Sequence, residues 1–297
     1  MIDLHTHTVY SDGADTPEQV LDRAQALHLS TLAITDHNTI KAYEDPAMEH
    51  LHDHFKGALI PGVEITCMFE GGVVEVLGYG FDRKKMQEEL SKYVLSFHDK
   101  QMEEYRLILE AYRKAGAILD ESQIHFDPDH ESSRRAILRE LNRHVENRAL
   151  FLNSEDAGSS RGFTRGEVYN PQSPLYVDEA SLYPSVPQAV KMIHDAGGIA
   201  FLAHLYEYAN ADELFGRMED IVKETKLDGL ECRHNCFSPE DARRLEAFCD
   251  THHLLKSGGS DYHGSRKPHV IMGNPPGMQI DESFLQDWPK RILDQAL

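Results

Sequence analysis

Apolar and polar positions along this chain follow two periods, and the switches between them mark out its elements. Glu18–Leu27 carries apolar residues at helical spacing. It is opened by Thr16-Pro17-Glu18-Gln19, which reads as an N-cap, a first-turn proline and a capping box. This helix leads into the short apolar run Thr31–Thr35, which ends in Asp36-His37. The same grammar returns twice. Gln188–Ala196 reads as an amphipathic helix stopped by Gly197-Gly198, followed by a strand Ile199–Ala203 and then His204. Pro239–Thr251, capped by Ser238 with Asp241 three residues on, is followed by Leu254–Ser257 and then Asp261-Tyr262-His263. Helix, short apolar strand and a polar residue of ligand type, repeated in this way, predict parallel β/α units. In such units functional side chains gather at the C-terminal ends of the strands. Strands also fit Ile2–Thr6, Leu59–Thr66, Val73–Gly78 and Gly229–Cys232.

Between about residue 82 and residue 184 the pattern changes. Lys85–Lys114 and Arg134–Asn147 read as charged helices with no strand between them, and the stretch 153–174 is rich in Ser, Gly and Pro. The expectation is a catalytic unit made of residues 1–81 and 185–297, interrupted by a mostly helical insertion, residues 82–184, that covers the active site. The insertion ends in a loop of the length that is usually functional. The C-terminal stretch Asp281–Leu297 reads as a helix interrupted at Pro289.

Charge narrows the range of partners. Thirty Lys and Arg against 50 Asp and Glu give a formal charge of -20, which counts against duplex nucleic acid held by a basic face. An anionic substrate then requires positive charge placed locally. No apolar run approaches about 18 residues, and the N-terminus lacks a basic stretch before an apolar one, so neither a membrane span nor a secretory signal is expected. A cytoplasmic protein follows. Four cysteines (Cys67, Cys232, Cys236 and Cys249) form no disulfide framework, and they read as reduced core thiols. Histidine is the anomaly, at 18 of 297 residues.

Those histidines fall where the strands end. His5, His7, Asp12, His37, Glu64, His204, Asp261 and His263 all sit at or just beyond predicted strand ends. In a strand the side-chain period is two, so His5 and His7 present two imidazoles to one point, and Asp261-x-His263 repeats the spacing with mixed donors. Imidazole and carboxylate without thiolate suit Zn, Fe or Mn in a catalytic site, and carboxylates can bridge two or three ions.

His5-Thr6-His7 with Ser11-Asp12-Gly13, Ile34-Thr35-Asp36-His37-Asn38, Pro61-Gly62-Val63-Glu64, Ala203-His204 and Gly259-Ser260-Asp261-Tyr262-His263 resemble the successive motifs of the PHP (polymerase and histidinol phosphatase) family. The resemblance spans residues 1–80 and 185–270. It implies an α/β fold, a distorted (β/α)7 barrel with an inserted mostly helical subdomain, and a centre of two or three divalent ions. His5, His7, Glu64 and Asp261 would hold one ion, Glu64 would bridge to a second that His204 also binds, and Asp12, His37 and His263 would hold a third. The chain departs from the family in three places. Glu75 stands where the family has a histidine ligand. His204-Leu205-Tyr206-Glu207 replaces a His-Pro-Gly-Arg, so an arginine near the phosphate is missing. Arg134-Arg135-Ala136 replaces the end of a Gly-Arg-Pro-His pattern. Glu75 is expected to remain a ligand.

The function expected is metal-dependent hydrolysis of a phosphate monoester on a small nucleotide, a nucleoside mono- or bisphosphate. Arg134, Arg135 and Arg233 are the leading candidates for phosphate capture, with Arg161 and Arg165 behind them, because the planar guanidinium matches phosphate oxygens. His234 is the candidate proton donor to the leaving group. The large insertion, with Tyr169 and Tyr176, favours a base and sugar over histidinol phosphate. The competing readings are a 5′-3′ exoribonuclease on short RNA, a histidinol-phosphate phosphatase, a deaminase of related barrel chemistry, and a non-catalytic metal-binding regulatory module. The sequence says nothing of oligomeric state.

Overall fold

In the computed structural model, residues 1–208, 210–273, 279–280 and 282–297 are described, apart from the side chains of Arg161 and Arg165. Seven strands form one sheet in chain order: β1 (Ile2–Asp3), β2 (Thr31–Ile34), β3 (Ala58–Phe69), β4 (Gly72–Tyr79), β5 (Ile199–Leu202), β6 (Gly229–Arg233) and β7 (Leu255–Gly258). β1, β2 and β3 pair in parallel, as do β5, β6 and β7. The parallel run is broken at β4, which lies antiparallel to β5. Only Glu70 and Gly71 separate β3 from β4, and both have positive φ, the backbone of a tight hairpin turn rather than of a helical crossover. β3 and β4 are therefore joined without the helix that precedes the strands of the β/α units read from the sequence.

The two edges of the sheet meet. Leu4 N donates to Gly258 O at 3.1 Å, Asp261 N donates to His5 O at 2.9 Å, and Thr6 bridges to Tyr262. Gly259 makes this closure possible, because a Cβ there would stand 2.2 Å from the His5 Cβ and 2.4 Å from its backbone nitrogen. The strands are apolar on both faces (β2 and β5 are buried throughout), as a sheet covered by helices requires. The helices Pro17–Ala26, Val186–Asp195 and Pro239–His252 each begin with a capping box, from Thr16, Ser185 and Ser238.

The chain divides into two compact units. One comprises Met1–Phe69, Val73–Lys92 and Ser185–Leu297, and the other Glu70–Gly72 and Tyr93–Pro184. The division falls near residue 93 rather than 82, because the single helix read over Lys85–Lys114 is two. Arg83–Tyr93 stays almost wholly with the sheet, and Ser96 caps a new helix, Phe97–Lys114, by accepting from Asp99 N. The second unit is helical, with a core that includes Ile108, Tyr112, Ile137, Leu141 and Phe163. At the C-terminus, Glu282–Leu285 and Lys290–Leu293 form two short turns on either side of Pro289; Asp281, where one helix was expected to begin, lies outside the described residues. No helix among the described residues is long and apolar enough to cross a membrane.

Candidate metal centre

The nine side chains read as ligands converge in the first unit. His5 and His7 follow β1, and both are fully buried. Glu64, on β3, is 1% exposed and stands at the centre. Its Oε2 is 3.2 Å from His5 Nε2 and 3.3 Å from both His7 Nε2 and His37 Nδ1, and its Oε1 is 2.9 Å from His204 Nε2. Asp261 Oδ1 stands 3.2 Å from His7 Nε2 and 3.6 Å from His5 Nε2. Asp12 Oδ1 lies 3.1 Å from His263 Nε2 and 3.8 Å from His37 Nε2. Glu75 turns inward as well, with Oε1 3.3 Å from His37 Nδ1 and Oε2 3.2 Å from His204 Nε2. Two of these residues sit in unusual backbone, His204 at φ 22° and Asp261 at φ 57°. Strain of this kind collects at functional sites.

The donor atoms fit divalent ions. His7, Asp12, His37 and His263 offer atoms within 4.8 Å of one another, and so do His5, His7 and Asp261, and His5, Glu64 and His204. Four of the imidazoles keep a buried nitrogen without any hydrogen-bond partner: His7 Nε2, His37 Nδ1, His204 Nδ1 and His263 Nε2. Buried polar atoms are ordinarily satisfied, so this many orphans in one place indicate ligands in need of a cation. Second contacts fix the ring tautomers. His5 Nδ1 donates to Glu231 Oε1 at 2.9 Å, and His263 Nδ1 donates to the Asp261 carbonyl at 2.8 Å, so in each ring Nε2 is the nitrogen turned toward the other carboxylates. Burial works against charge on Glu64 and Asp261, yet the surrounding imidazoles outweigh it and hold both well below the usual carboxylate range. Burial likewise works against protonation of His5 and His7, and the carboxylates reverse it; His7 is pushed up to about 10. The pocket favours positive charge.

Three supporting carboxylates escaped the sequence reading. Glu231, on β6, is 1% exposed and also takes the His204 backbone N–H on Oε2 at 2.7 Å. Asp3 accepts from the backbone of His5, Ser260 and Gly273 and from the Ser260 hydroxyl, which ties the segment before Asp261 to β1. Asp36 accepts from Thr8 N, Thr8 Oγ1 and Ser11 Oγ, holding the loop that carries Asp12. Glu231 had a readable signal, a lone carboxylate in an otherwise apolar strand.

Of the expected substrate residues, Arg134 and Arg135 belong to the second unit and Arg233 to the first. Arg134 pairs with Glu104 at 2.5 Å and Glu179 at 2.6 Å and stacks over the half-buried Tyr169 ring, so its charge is matched by two carboxylates. Arg135 is exposed. Arg233 points away from the centre: a register irregularity between Glu231 and Arg233 turns it to Glu246 at 2.7 Å, to the Gln279 carbonyl and to the Phe284 ring. The side chains of Arg161 and Arg165 lie outside the described residues. His234 is fully buried, with Nε2 3.6 Å from Asp261 Oδ2, and this sets it beneath the cluster rather than at a mouth where a leaving group departs. Cys236 N–H donates to His234 Nδ1 at 3.3 Å, so the ring proton sits on Nε2. Cys67, Cys232 and Cys249 are buried, whereas Cys236 is exposed and is not the core thiol expected.

Comparison with known proteins places this geometry. The sequence model of the PHP domain matches residues 3–232. The chain is 29% identical to the 5′-3′ exoribonuclease Rnm of Escherichia coli K12 over 88% of its length and 84% of that protein's. It is also 29% identical to the 3′,5′-nucleoside bisphosphate phosphatase of Chromobacterium violaceum, over 88% of its length and 87% of that protein's. A solved structure from Bifidobacterium adolescentis, described as a metal-dependent phosphoesterase, superposes with a TM-score of 0.64 at 24% identity, covering 100% of this chain and 96% of that one.

Proposed function

The chain belongs to the PHP domain family, and from that premise we propose that it is a metal-dependent phosphoesterase releasing phosphate from a small nucleotide, a nucleoside mono- or bisphosphate. The observation that carries the reading is the set of buried, unpartnered imidazole nitrogens set against carboxylates: His7 Nε2 beside Glu64 and Asp261, His37 Nδ1 beside Glu64 and Glu75, and His263 Nε2 beside Asp12. His5, His7, Glu64 and Asp261 would hold one divalent ion, Glu64, Glu75 and His204 a second, and Asp12, His37 and His263 a third. Such ions supply Lewis acidity to phosphoryl oxygens and lower the pKa of water, so no serine or cysteine nucleophile is needed. The donor set of imidazole and carboxylate suits Zn, Fe or Mn.

The chain's own residues do the positioning. Glu231 takes the His5 Nδ1 proton and so keeps Nε2 open to the centre. His234 holds a proton on Nε2 toward Asp261 Oδ2, where it steadies that carboxylate's charge. Burial of His5, His7 and Glu64 excludes bulk water from the floor of the site, while Asp12 and Glu75, with side chains 52% and 21% exposed, form its rim. The formal net charge of -20 supports small substrates over duplex nucleic acid.

Two of the similar proteins, at equal identity, carry different names, one a bisphosphate phosphatase and one an exoribonuclease. A phosphate-release screen on metal-reconstituted protein separates the readings. Nucleoside mono- and bisphosphates should outpace histidinol phosphate and 5′-phosphorylated oligoribonucleotides in kcat/KM. Stepwise digestion of the oligoribonucleotides at a higher kcat/KM would instead establish the exoribonuclease reading, and equal or faster turnover of histidinol phosphate would overturn the nucleotide assignment.

A further inference from the structure

A lysine stands at a centre built for cations. The turn Gly264–Arg266 follows directly on His263, closes with Lys267 N donating to Gly264 O at 3.2 Å, and sends the Lys267 ammonium back onto Asp261 Oδ2. The Lys267 side chain is 35% exposed and that of Asp261 is 6%, so the lysine reaches from the surface to a buried carboxylate. Asp261 offers its two oxygens to different neighbours, Oδ1 to His5 and His7, and Oδ2 to Lys267 and His234.

As part of a metal site alone, this lysine is unfavourable. An ammonium beside the donors repels the divalent ions they hold, and the repulsion is large where water is scarce. It becomes favourable once an anion bridges the ions and the ammonium. Lysine has three N–H donors, and Asp261 engages one. Two of the cations first read as phosphate ligands do not meet this need, since Arg134 is matched by Glu104 and Glu179, and Arg233 by Glu246. The position where the family resemblance placed an arginine is Glu207, an exposed carboxylate.

We propose that Lys267 is a substrate-binding residue that takes a non-bridging oxygen of the phosphate group at the mouth of the metal centre. It serves there as a point charge, not as a planar fork, so it recognises phosphate by charge and leaves the esterified group to other contacts. The inference deepens the phosphoesterase reading and rests on it for its biological meaning, but its test does not depend on turnover.

The test is binding of inorganic phosphate, followed by calorimetry, to metal-reconstituted wild type, Lys267→Met and Lys267→Arg, with bound metal measured in each. A charge-assisted contact of this kind is worth about tenfold in affinity or more, so Lys267→Met should weaken phosphate by about that factor and Lys267→Arg should restore most of it. Metal content should be unchanged or higher in Lys267→Met, since a repelling charge is gone. Phosphate binding at wild-type strength in Lys267→Met overturns the inference, as does loss of metal and phosphate together, which would make Lys267 a support for Asp261. A wild type that binds phosphate through Lys267 but hydrolyses no ester leaves this inference standing and overturns the activity.

Discussion

Glu231 and His5 form the hydrogen bond that decides which face of an imidazole the centre sees: His5 Nδ1 donates to Glu231 Oε1 at 2.9 Å, and Nε2 is left to Glu64 and Asp261. The same carboxylate receives the His204 backbone N–H, so one residue of β6 sets two candidate ligands from β1 and β5. Glu231→Gln keeps an acceptor but loses the charge that makes His5 a stronger donor, and it should weaken metal retention by about tenfold or more with the fold kept. Chelator competition followed by metal analysis reads this, and unchanged retention would contradict the positioning role.

Glu75 is one of the three departures from the motifs that the sequence resembles, and it faces His37 and His204. With Asp12, Glu64 and Asp261 it makes the donor set richer in carboxylate, which favours harder ions. Glu75→Ala should lower both bound metal and rate. Glu75→His should restore binding while shifting preference from Mn or Fe toward Zn. Wild-type metal content and rate in Glu75→Ala would remove it from the ligand set.

Proton release should accompany metal binding. Burial works against a charged His7, but Asp261 and Glu64 outweigh it and raise its pKa to about 10, so the metal-free ring is protonated at neutral pH. A metal must displace that proton, so metal affinity should rise as pH rises toward that value and fall as pH drops. Calorimetric titration with metal in two buffers of different ionisation enthalpy measures the protons directly. Affinity independent of pH, with no protons released, would contradict the pairing of His7 with these carboxylates.

Gly259 tests the closure of the sheet. A methyl group there meets the backbone of His5, which cannot yield without moving a candidate ligand. Gly259→Ala should cost about 1–3 kcal/mol by denaturant unfolding and should also lower metal affinity. A variant with wild-type stability and metal binding would show that the His5 segment is free to shift.

Much of this was readable because the chemistry sits at strand ends. The period-two spacing of His5 and His7, and the repeats ending in His37, His204 and Asp261-Tyr262-His263, pointed to the barrel and to the donors proposed for its metals. Two kinds of feature stayed hidden. Glu231, Asp3 and Asp36 act through contacts between residues far apart in sequence, which no local pattern records. The partners of Arg134 and Arg233 stayed hidden because arginine reads the same whether it faces a phosphate or a carboxylate of its own fold; their pairing with Glu104, Glu179 and Glu246 exists only in three dimensions. The antiparallel β4 was hidden because Glu70-Gly71 is a hairpin turn without the usual Asn or Asp.

Asp261 stands between the candidate ligands His5 and His7 on Oδ1 and the supporting His234 and Lys267 on Oδ2, so the proposed centre depends on its carboxylate. The most direct measurement compares phosphate release from a nucleoside 3′,5′-bisphosphate by wild type and Asp261→Asn, each reconstituted with the same divalent ion and analysed for bound metal. Asparagine keeps the side-chain shape and tolerates the positive φ at this position, so the fold should persist by circular dichroism. The ligand role of Asp261 predicts that metal content falls and that turnover drops by at least about a hundredfold. Full metal content with more than about a tenth of the wild-type rate would contradict it.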